Sequence, residues 1–272
     1  MRLEFAQVWS MAGKEFHDRI RNRWLLAVVA VFTAFALAIA YFGAAQQGMV
    51  GLRSVEVTIA SLVSLVIYLV PLIALMLGYD AVVGEREKGS LALLLSMPIT
   101  RFELLLGKYL GLAATLVSST LIGFGVVGVL LGYKFGAGAF LHYGGFMASA
   151  VALGMAFLSI SMLISVTAGS RVSASGMAIV AWFGFVLIYD LLLLALLVAA
   201  QGRLDADVVP ILLLLNPADA FRMLNIFGFA DVGRLYGLAA VVPRPLAHPL
   251  VQGAAMLLWI VLPLGIASWR FK

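Results

Sequence analysis

Six long apolar stretches limit how this sequence can fold more than any other feature does. They lie at 24–45, 55–79, 104–132, 144–168, 174–200 and 248–269. A hydrocarbon core roughly 30 Å thick needs about 20 apolar residues for each helical crossing, and every stretch reaches that length. The stretches are continuously apolar and do not alternate with polar residues, which favours helices over strands. The sequence therefore predicts an all-α membrane protein with six transmembrane helices.

The composition supports a membrane location. The 272 residues are 64% hydrophobic and 11% charged, whereas a soluble domain has about 25% charged residues. The first 20 residues carry charges throughout, and the first apolar stretch is long enough to span, so we expect no cleavable signal peptide. Cysteine is absent, which excludes a disulfide, a thiolate metal site and a cysteine nucleophile.

The distribution of basic residues predicts the orientation. If the N-terminus is cytoplasmic, 12 of the 18 lysines and arginines lie on the cytoplasmic side, and four of the other six lie in one long loop. The positive-inside rule then places both termini in the cytoplasm. We interpret the net charge of +5 as a result of this topology and not as a sign of nucleic-acid binding.

The segment 79–103, between the second and third stretches, is the densest cluster of charge. Gly84 and Gly89 flank charged residues and permit tight bends. Residues 90–97 form a short, mainly apolar helix that Pro98 ends, and Thr100 to Glu103 form a capping box that starts the next helix. We expect this rigid segment to transmit force. The candidate contact residues are Glu85, Arg86, Glu87, Lys88, Gly89, Ser90, Pro98, Thr100, Arg101 and Glu103.

An amphipathic helix is predicted before the first span, over residues 3–20. Phe5, Val8, Trp9, Ala12, Phe16 and Ile20 fall on one face at helical spacing. Such a helix is expected to lie flat at the inner membrane surface, with Trp9 at headgroup depth.

The loop 201–247 lies outside the cytoplasm in this topology, although much of it is apolar. Its segment from Val208 to Leu215 is too short to span, and a re-entrant helix is expected there. Asn216 caps a second short helix, Pro217 occupies its first turn, and Asp219 faces the unpaired amides. The candidate residues for docking a periplasmic partner are Asn216, Pro217, Asp219, Phe221 and Arg222.

Two sets of residues within the spans are of interest. Asp190 is the one acidic residue deep in a predicted span, where it either solves a packing or interface problem or carries protons. Met147, Met155 and Met162 share a helix face, but methionine also fills packed interiors. Cu(I) prefers thiolate and thioether ligands. Without cysteine, the sequence favours mechanical signalling over copper conduction, and we expect no metal site in this chain.

The charged segment YDAVVGEREKGSLALLLSMPITRFELLLGK resembles the cytoplasmic coupling loop of ABC-2-type permeases. The resemblance implies that residues 1–272 form one permease domain with an elbow helix at 1–23, a coupling loop at 79–103 and an extracytoplasmic cap at 201–247. It also implies a homodimer in the bacterial inner membrane, driven by a separate cytoplasmic ABC ATPase that binds ATP and Mg. This chain itself would bind no cofactor.

Four further segments are similar to permeases of nitrous-oxide-reductase maturation systems. They are RNRWLL at 21–26, YDAVVGE at 79–85, LLLGKYLG at 104–111 and LLNPADAFRMLN at 214–225. This resemblance implies a role in denitrification, with a periplasmic β-helical accessory protein, a copper chaperone and nitrous oxide reductase as partners. Copper supply to the reductase is its implied purpose.

Other functions remain open at the level of sequence. An ABC-2 exporter of a lipid, peptide or drug has the same coupling loop, and a proton-coupled secondary transporter would use Asp190. An enzyme is disfavoured, because the chain has no GxxxxGK[ST] phosphate loop and no HExxH zinc motif.

Overall fold

The computed structural model describes residues 5–42, 51–52, 54–200, 208–227 and 248–271. These ranges form helices and contain no strand. The elements are α1 (Phe5–Arg21), α2 (Trp24–Phe42), α3 (Val55–Gly78), α4 (Val83–Glu87), α5 (Ser90–Leu95), α6 (Arg101–Phe135), α7 (Ala137–Thr167), α8 (Arg171–Phe183), a π-helical turn (Gly184–Ile188), α9 (Tyr189–Ala200), α10 (Val208–Leu214), α11 (Pro217–Phe227) and α12 (Pro249–Arg270). Residues 1–4 of the predicted elbow segment and 201–207 and 228–247 of the predicted cap lie outside the described residues.

The prediction of six spans is confirmed for the described part of the chain. Six helical segments there are long and apolar enough to cross a membrane: α2, α3, α6, α7, the continuous run α8–π–α9, and α12. The third and fourth spans are longer than predicted, since α6 has 35 residues and α7 has 31. A helix of 35 residues is about 52 Å long, so α6 extends beyond a bilayer roughly 30 Å thick.

Three spans form the centre of the bundle. In the most apolar part of each span, the share of residues buried inside the chain is 72% for α7 and 50% for both α3 and α6. The share falls to 17% for α2, 22% for α12 and 6% for the fifth span, α8–π–α9. A row of aromatic rings fills the core, with Phe124 stacked on Phe32 at 5.0 Å and Phe146 lying 6.0 Å from Phe124 and 6.2 Å from Phe221. The fifth span therefore lies at the periphery.

Glycines on α6 allow close helix packing against both α1 and α7, since small residues spaced four apart let helix backbones approach closely. A Cβ atom at Gly111 would lie 2.6 Å from the carbonyl oxygen of Ala12, and one at Gly107 would lie 2.8 Å from Met11 Cβ. Nearer the other end, Gly128 and Gly132 pack against aromatic rings of α7. The glycines at 107 and 111 thus allow α1 to pack directly against α6.

The N-terminal helix α1 confirms that a helix lies at the predicted place. Val8, Met11 and Ala12 are buried against the bundle, whereas Phe5 and Trp9 are each 76% exposed. Its position flat at the membrane surface stays a prediction.

Gly111→Ala is expected to destabilise the chain by roughly 1–3 kcal/mol, because the added methyl group overlaps the Ala12 carbonyl oxygen and must push α1 away. Gly125 lies on the same helix, and a Cβ atom added there would meet nothing within 4 Å, so Gly125→Ala is the matched control. Thermal unfolding in one detergent compares the two variants. Equal melting temperatures would show that α1 does not depend on this close approach.

Candidate functional site

The segment 79–103 consists of two short helices joined by a left-handed glycine. Gly89 has φ +74° between α4 and α5, so the tight bend predicted there is confirmed. Gly84, predicted to bend the chain, lies inside α4 instead, and its missing side chain makes room for the guanidinium of Arg171. The helix α5 ends at Leu95, ahead of Pro98.

The predicted capping box at the start of α6 is confirmed. The Thr100 amide donates to Glu103 Oε2 at 2.8 Å, and the Glu103 amide donates to Thr100 Oγ1 at 3.2 Å. Each residue therefore pairs an amide at the helix start that would otherwise lack a partner. This reciprocal pair fixes where the loop ends and the third span begins.

Polar contacts fix the start of the loop to the end of the fourth span. Ser165 Oγ accepts from the amides of Val82 and Val83 at 2.9 and 3.2 Å. The Arg86 guanidinium donates to the carbonyl oxygens of Ala168 and Val166 at 3.0 and 3.1 Å. Carbonyls in the last turn of a helix have no intrahelical partner, and here an arginine satisfies them.

A buried lysine of α6 joins the loop to α1. Lys108 Nζ lies 2.7 Å from Glu85 Oε1 and 3.3 Å from Glu15 Oε2, and its side chain is only 3% exposed. Glu15 also pairs with Arg19 at 3.2 Å. The carboxylate of Glu85, predicted as a partner contact, is thus bound within the chain.

A second ionic contact joins the loop to the fifth span. Arg171, the first residue of α8, pairs with Asp80 at 2.8 Å through its guanidinium and donates its amide to Glu87 Oε1 at 2.8 Å. Arg19 lies 3.8 Å from the other oxygen of Asp80. The predicted charged cluster is therefore largely an internal network. Sequence reasoning missed Glu15, Asp80 and Arg171, and the one signal for Lys108 was a cation placed inside an apolar run.

An apolar strip remains exposed on the loop. We call Leu93, Met97 and Phe102 the docking strip, and they are 70%, 48% and 45% exposed. Lys88, Pro98 and Arg101 are exposed beside it. Exposed apolar residues next to charged ones mark interaction surfaces. The Arg101 guanidinium lies 5.7 Å from the Phe271 ring, so the loop and the C-terminus share one face of the bundle, the loop face.

A polar network lies at the far end of the bundle. The helices α10 and α11 meet at 112°, and Asn216 Oδ1 caps α11 by accepting from the Ala218 amide at 3.0 Å, as predicted. The prediction that Asp219 faces the unpaired amides is wrong. Its carboxylate instead accepts from Asn216 Nδ2 at 2.8 Å and from Arg222 Nη1 at 2.7 Å, because these donors lie closer to it.

The same network attaches the bent pair α10–α11 to the fifth span. Arg222 Nη2 donates to Asp190 Oδ2 at 2.9 Å, which identifies the partner of this intramembrane acid within its own chain. Asn216 Nδ2 donates to the carbonyl of Phe185, inside the π-helical turn. Tyr189 donates its hydroxyl to the carbonyl of Leu212 at 2.5 Å. The bent pair and the fifth span are thus held together at three points.

Most of the predicted docking residues on α11 are interior in this structure. Asn216, Asp219 and Phe221 are each 0% exposed, and Pro217 is also buried. Arg222 is the member of the set that reaches the surface, with its side chain 33% exposed. Within the described ranges, no group of three His, Cys, Asp or Glu side chains is placed to hold a metal ion.

Six membrane spans, an N-terminal helix packed on the third span and a two-helix loop after the second are the arrangement of an ABC transporter permease. Residues 9–272 match the family described as ABC-2 family transporter protein, and the chain belongs to that family. It is a multi-pass membrane permease, a class that works with a cytoplasmic ATPase.

The chain is similar to two curated relatives along almost its whole length. It is 45% identical to the probable ABC transporter permease protein NosY of Stutzerimonas stutzeri, over 98% of this chain and 98% of the relative. It is 46% identical to the protein of the same description from Pseudomonas aeruginosa, over 97% of this chain and 98% of the relative.

Arg222→Met is expected to destabilise the chain by roughly 1–3 kcal/mol, because it leaves the carboxylates of Asp219 and Asp190 without the cation between them. Breaking a fully buried ion pair costs ~3–5 kcal/mol. The expected loss is smaller here, because the side chains of Arg222 and Asp190 are each about one-third exposed. Asp190→Asn in the same chain is expected to recover part of that loss. A double-mutant cycle on thermal unfolding measures the coupling. Strictly additive effects would contradict a direct interaction between Asp190 and Arg222.

Proposed function

We propose that this chain is the transmembrane subunit of an ABC transporter that couples ATP hydrolysis by a separate cytoplasmic ATPase to a periplasmic partner, in the copper-site maturation of nitrous oxide reductase. The observation that carries the proposal is the identity of 45% and 46% to NosY permeases over 97–98% of the chain. Similarity over nearly the whole of both chains supports a shared task as well as a shared fold.

The loop face, in this proposal, receives the ATPase. Leu93, Met97 and Phe102 insert into a groove of the ATPase, and Lys88 and Arg101 contact its rim. This assignment rests on the exposure of these three apolar side chains and on their place within residues 79–103 of the chain. A groove of about 390 Å³ between α1 and α5, lined in part by Met97, widens the same surface.

The other residues of the predicted site support that surface. Glu85, Arg86 and Glu87 hold the loop to the bundle through the contacts described above. Gly89 supplies the bend, Ser90 starts α5, and the segment from Pro98 to Glu103 ends the loop and restarts the helix. A loop fixed at both ends transmits a push on α5 to the spans.

In this proposal, other subunits of the assembly hydrolyse ATP and bind copper. The chain has no GxxxxGK[ST] motif, so ATP and Mg bind the partner ATPase, and this chain is a permease and not an enzyme. It also has no cysteine to ligate Cu(I). The proposal therefore gives it mechanical work, and copper reaches the reductase through a copper chaperone and the periplasmic partner.

The assembly contains two copies of this chain. The fifth span is strongly apolar, yet only 6% of the residues in its most apolar part are buried inside the chain. A face of this kind packs against lipid or against a second copy. Two copies related by a twofold axis would supply two docking strips for two ATPase subunits, and isologous dimers are the commonest closed assembly.

Both termini and the loop face lie in the cytoplasm in this proposal, as the positive-inside rule predicts. The bent pair α10–α11 then lies on the periplasmic side. A periplasmic β-helical accessory protein docks there. Arg222 is the candidate contact from α11, because its side chain is one-third exposed while its neighbours are buried.

Cells that lack this chain are expected to export nitrous oxide reductase that is poor in copper, because no ATP-driven movement reaches the periplasmic partner. The copper content of the purified reductase measures the effect, and a plasmid copy of the chain should restore it. Fully copper-loaded reductase in the deletion strain would overturn the maturation role and favour an exporter of another substrate.

Two substitutions refine the same experiment. Leu93→Glu places a charge in the docking strip and is expected to leave the reductase poor in copper. Leu141, at the start of α7, is 74% exposed against 70% for Leu93, so Leu141→Glu is the matched control and should restore copper loading. Normal loading with Leu93→Glu would remove the docking strip from the coupling site.

A further inference from the structure

Charges of alternating sign surround one polar cavity on the loop face. The cavity has a volume of about 270 Å³. Each neighbouring pair of these charges lies within 4 Å, from one end of the series to the other. The series runs Glu85, Lys108, Glu15, Arg19, Asp80, Arg171.

Lys108 is the second residue in this series. It is the only basic residue among the buried residues of the described ranges. Its ammonium bridges two carboxylates on different elements, Glu85 of α4 and Glu15 of α1, while its own backbone belongs to α6. One side chain thereby joins the loop, the elbow helix and the third span.

Burial determines how strong this bridge is. Two carboxylates brought together at low exposure repel each other, and a cation between them reverses the sign of the interaction. Glu15 and Glu85 have exposed fractions of 13% and 22%, so water screens the pair only partly. Removal of the lysine leaves Glu85 without a cation, whereas Glu15 keeps its pair with Arg19. The loop then loses its ionic link through Lys108 to the third span and to the elbow helix.

We propose that Lys108 is the positioning residue of the coupling loop, holding α4–α5 and the elbow helix α1 as one rigid body on the third span. A push on the docking strip then moves the elbow helix and the third span together. The proposal rests on the proposed coupling to an ATPase for its purpose, but the rigid body is a property of this chain alone.

Distances between spin labels test the rigid body without any partner. The chain has no cysteine, so Ser10→Cys on α1 and Ala92→Cys on α5 give two labels without background. Both positions are exposed and take no part in the ion pairs. The labelled full chain is diluted with an excess of unlabelled chain in lipid nanodiscs, so that distances between two copies do not contribute, and double electron–electron resonance is expected to give one narrow distance distribution.

Three substitutions in the labelled chain decide the role of the bridge. Lys108→Met and Glu85→Gln are each expected to broaden the distribution. Lys134→Met is the matched control on the same helix, because Lys134 lies at the far end of α6 and bonds the carbonyl of Leu52. It should leave the distribution narrow. An unchanged width in folded Lys108→Met, or in Glu85→Gln if the first variant does not fold, would overturn the proposal.

A second readout separates this inference from the proposed function. In the complete complex with its ATPase, Lys108→Met should retain ATP hydrolysis but lose copper loading of nitrous oxide reductase. A broadened distribution with normal copper loading would retain the rigid body and overturn its role in coupling. If Lys108→Met broadens the distribution but cells lacking the whole chain still make copper-loaded reductase, the rigid body stands and the proposed function falls.

Discussion

The bridge from Lys108 to Glu85 and Glu15 is the interaction on which the loop face depends. A loop of some 25 residues between two spans has no apolar core of its own, so its shape must come from its attachments. Lys108 supplies one of them. Arg86 supplies another, because its guanidinium donates hydrogen bonds to the carbonyl oxygens at the C-terminal end of α7. With these contacts in place, Leu91 and Leu94 of α5 are buried while Leu93 stays exposed.

A similar arrangement holds the far end of the bundle. Arg222 stands between Asp219 and Asp190, and Asn216 reaches the carbonyl of Phe185 within the π-helical turn. The fifth span is thus attached to the loop through Arg171, its first residue, and to α10–α11 through Phe185, Tyr189 and Asp190 near its middle. Attachments at two levels of a peripheral span suit the relay of movement across the membrane.

The spans, the capping box and the Asn216 cap were predictable, because apolar length and capping chemistry are local properties of the sequence. The partners of Glu85, Arg86 and Glu87 were not predictable, since they lie on α6, α7 and α8, more than 20 residues away along the chain. Charged residues in a loop suggest an external contact, and only the packing of α1 and α8 beside the loop reveals that they are bound internally. For the same reason, the sequence alone does not separate the docking strip from apolar residues that face the membrane surface.

Site-specific cross-linking tests most directly the central claim that the loop receives an ATPase. Single cysteines at Met97 and Leu141 of this cysteine-free chain are labelled with a photoreactive thiol reagent in the assembled complex. The account predicts an adduct with the ATPase from position 97 and none from position 141. An ATPase adduct from position 141, or its absence at position 97 in an active complex, would contradict the account.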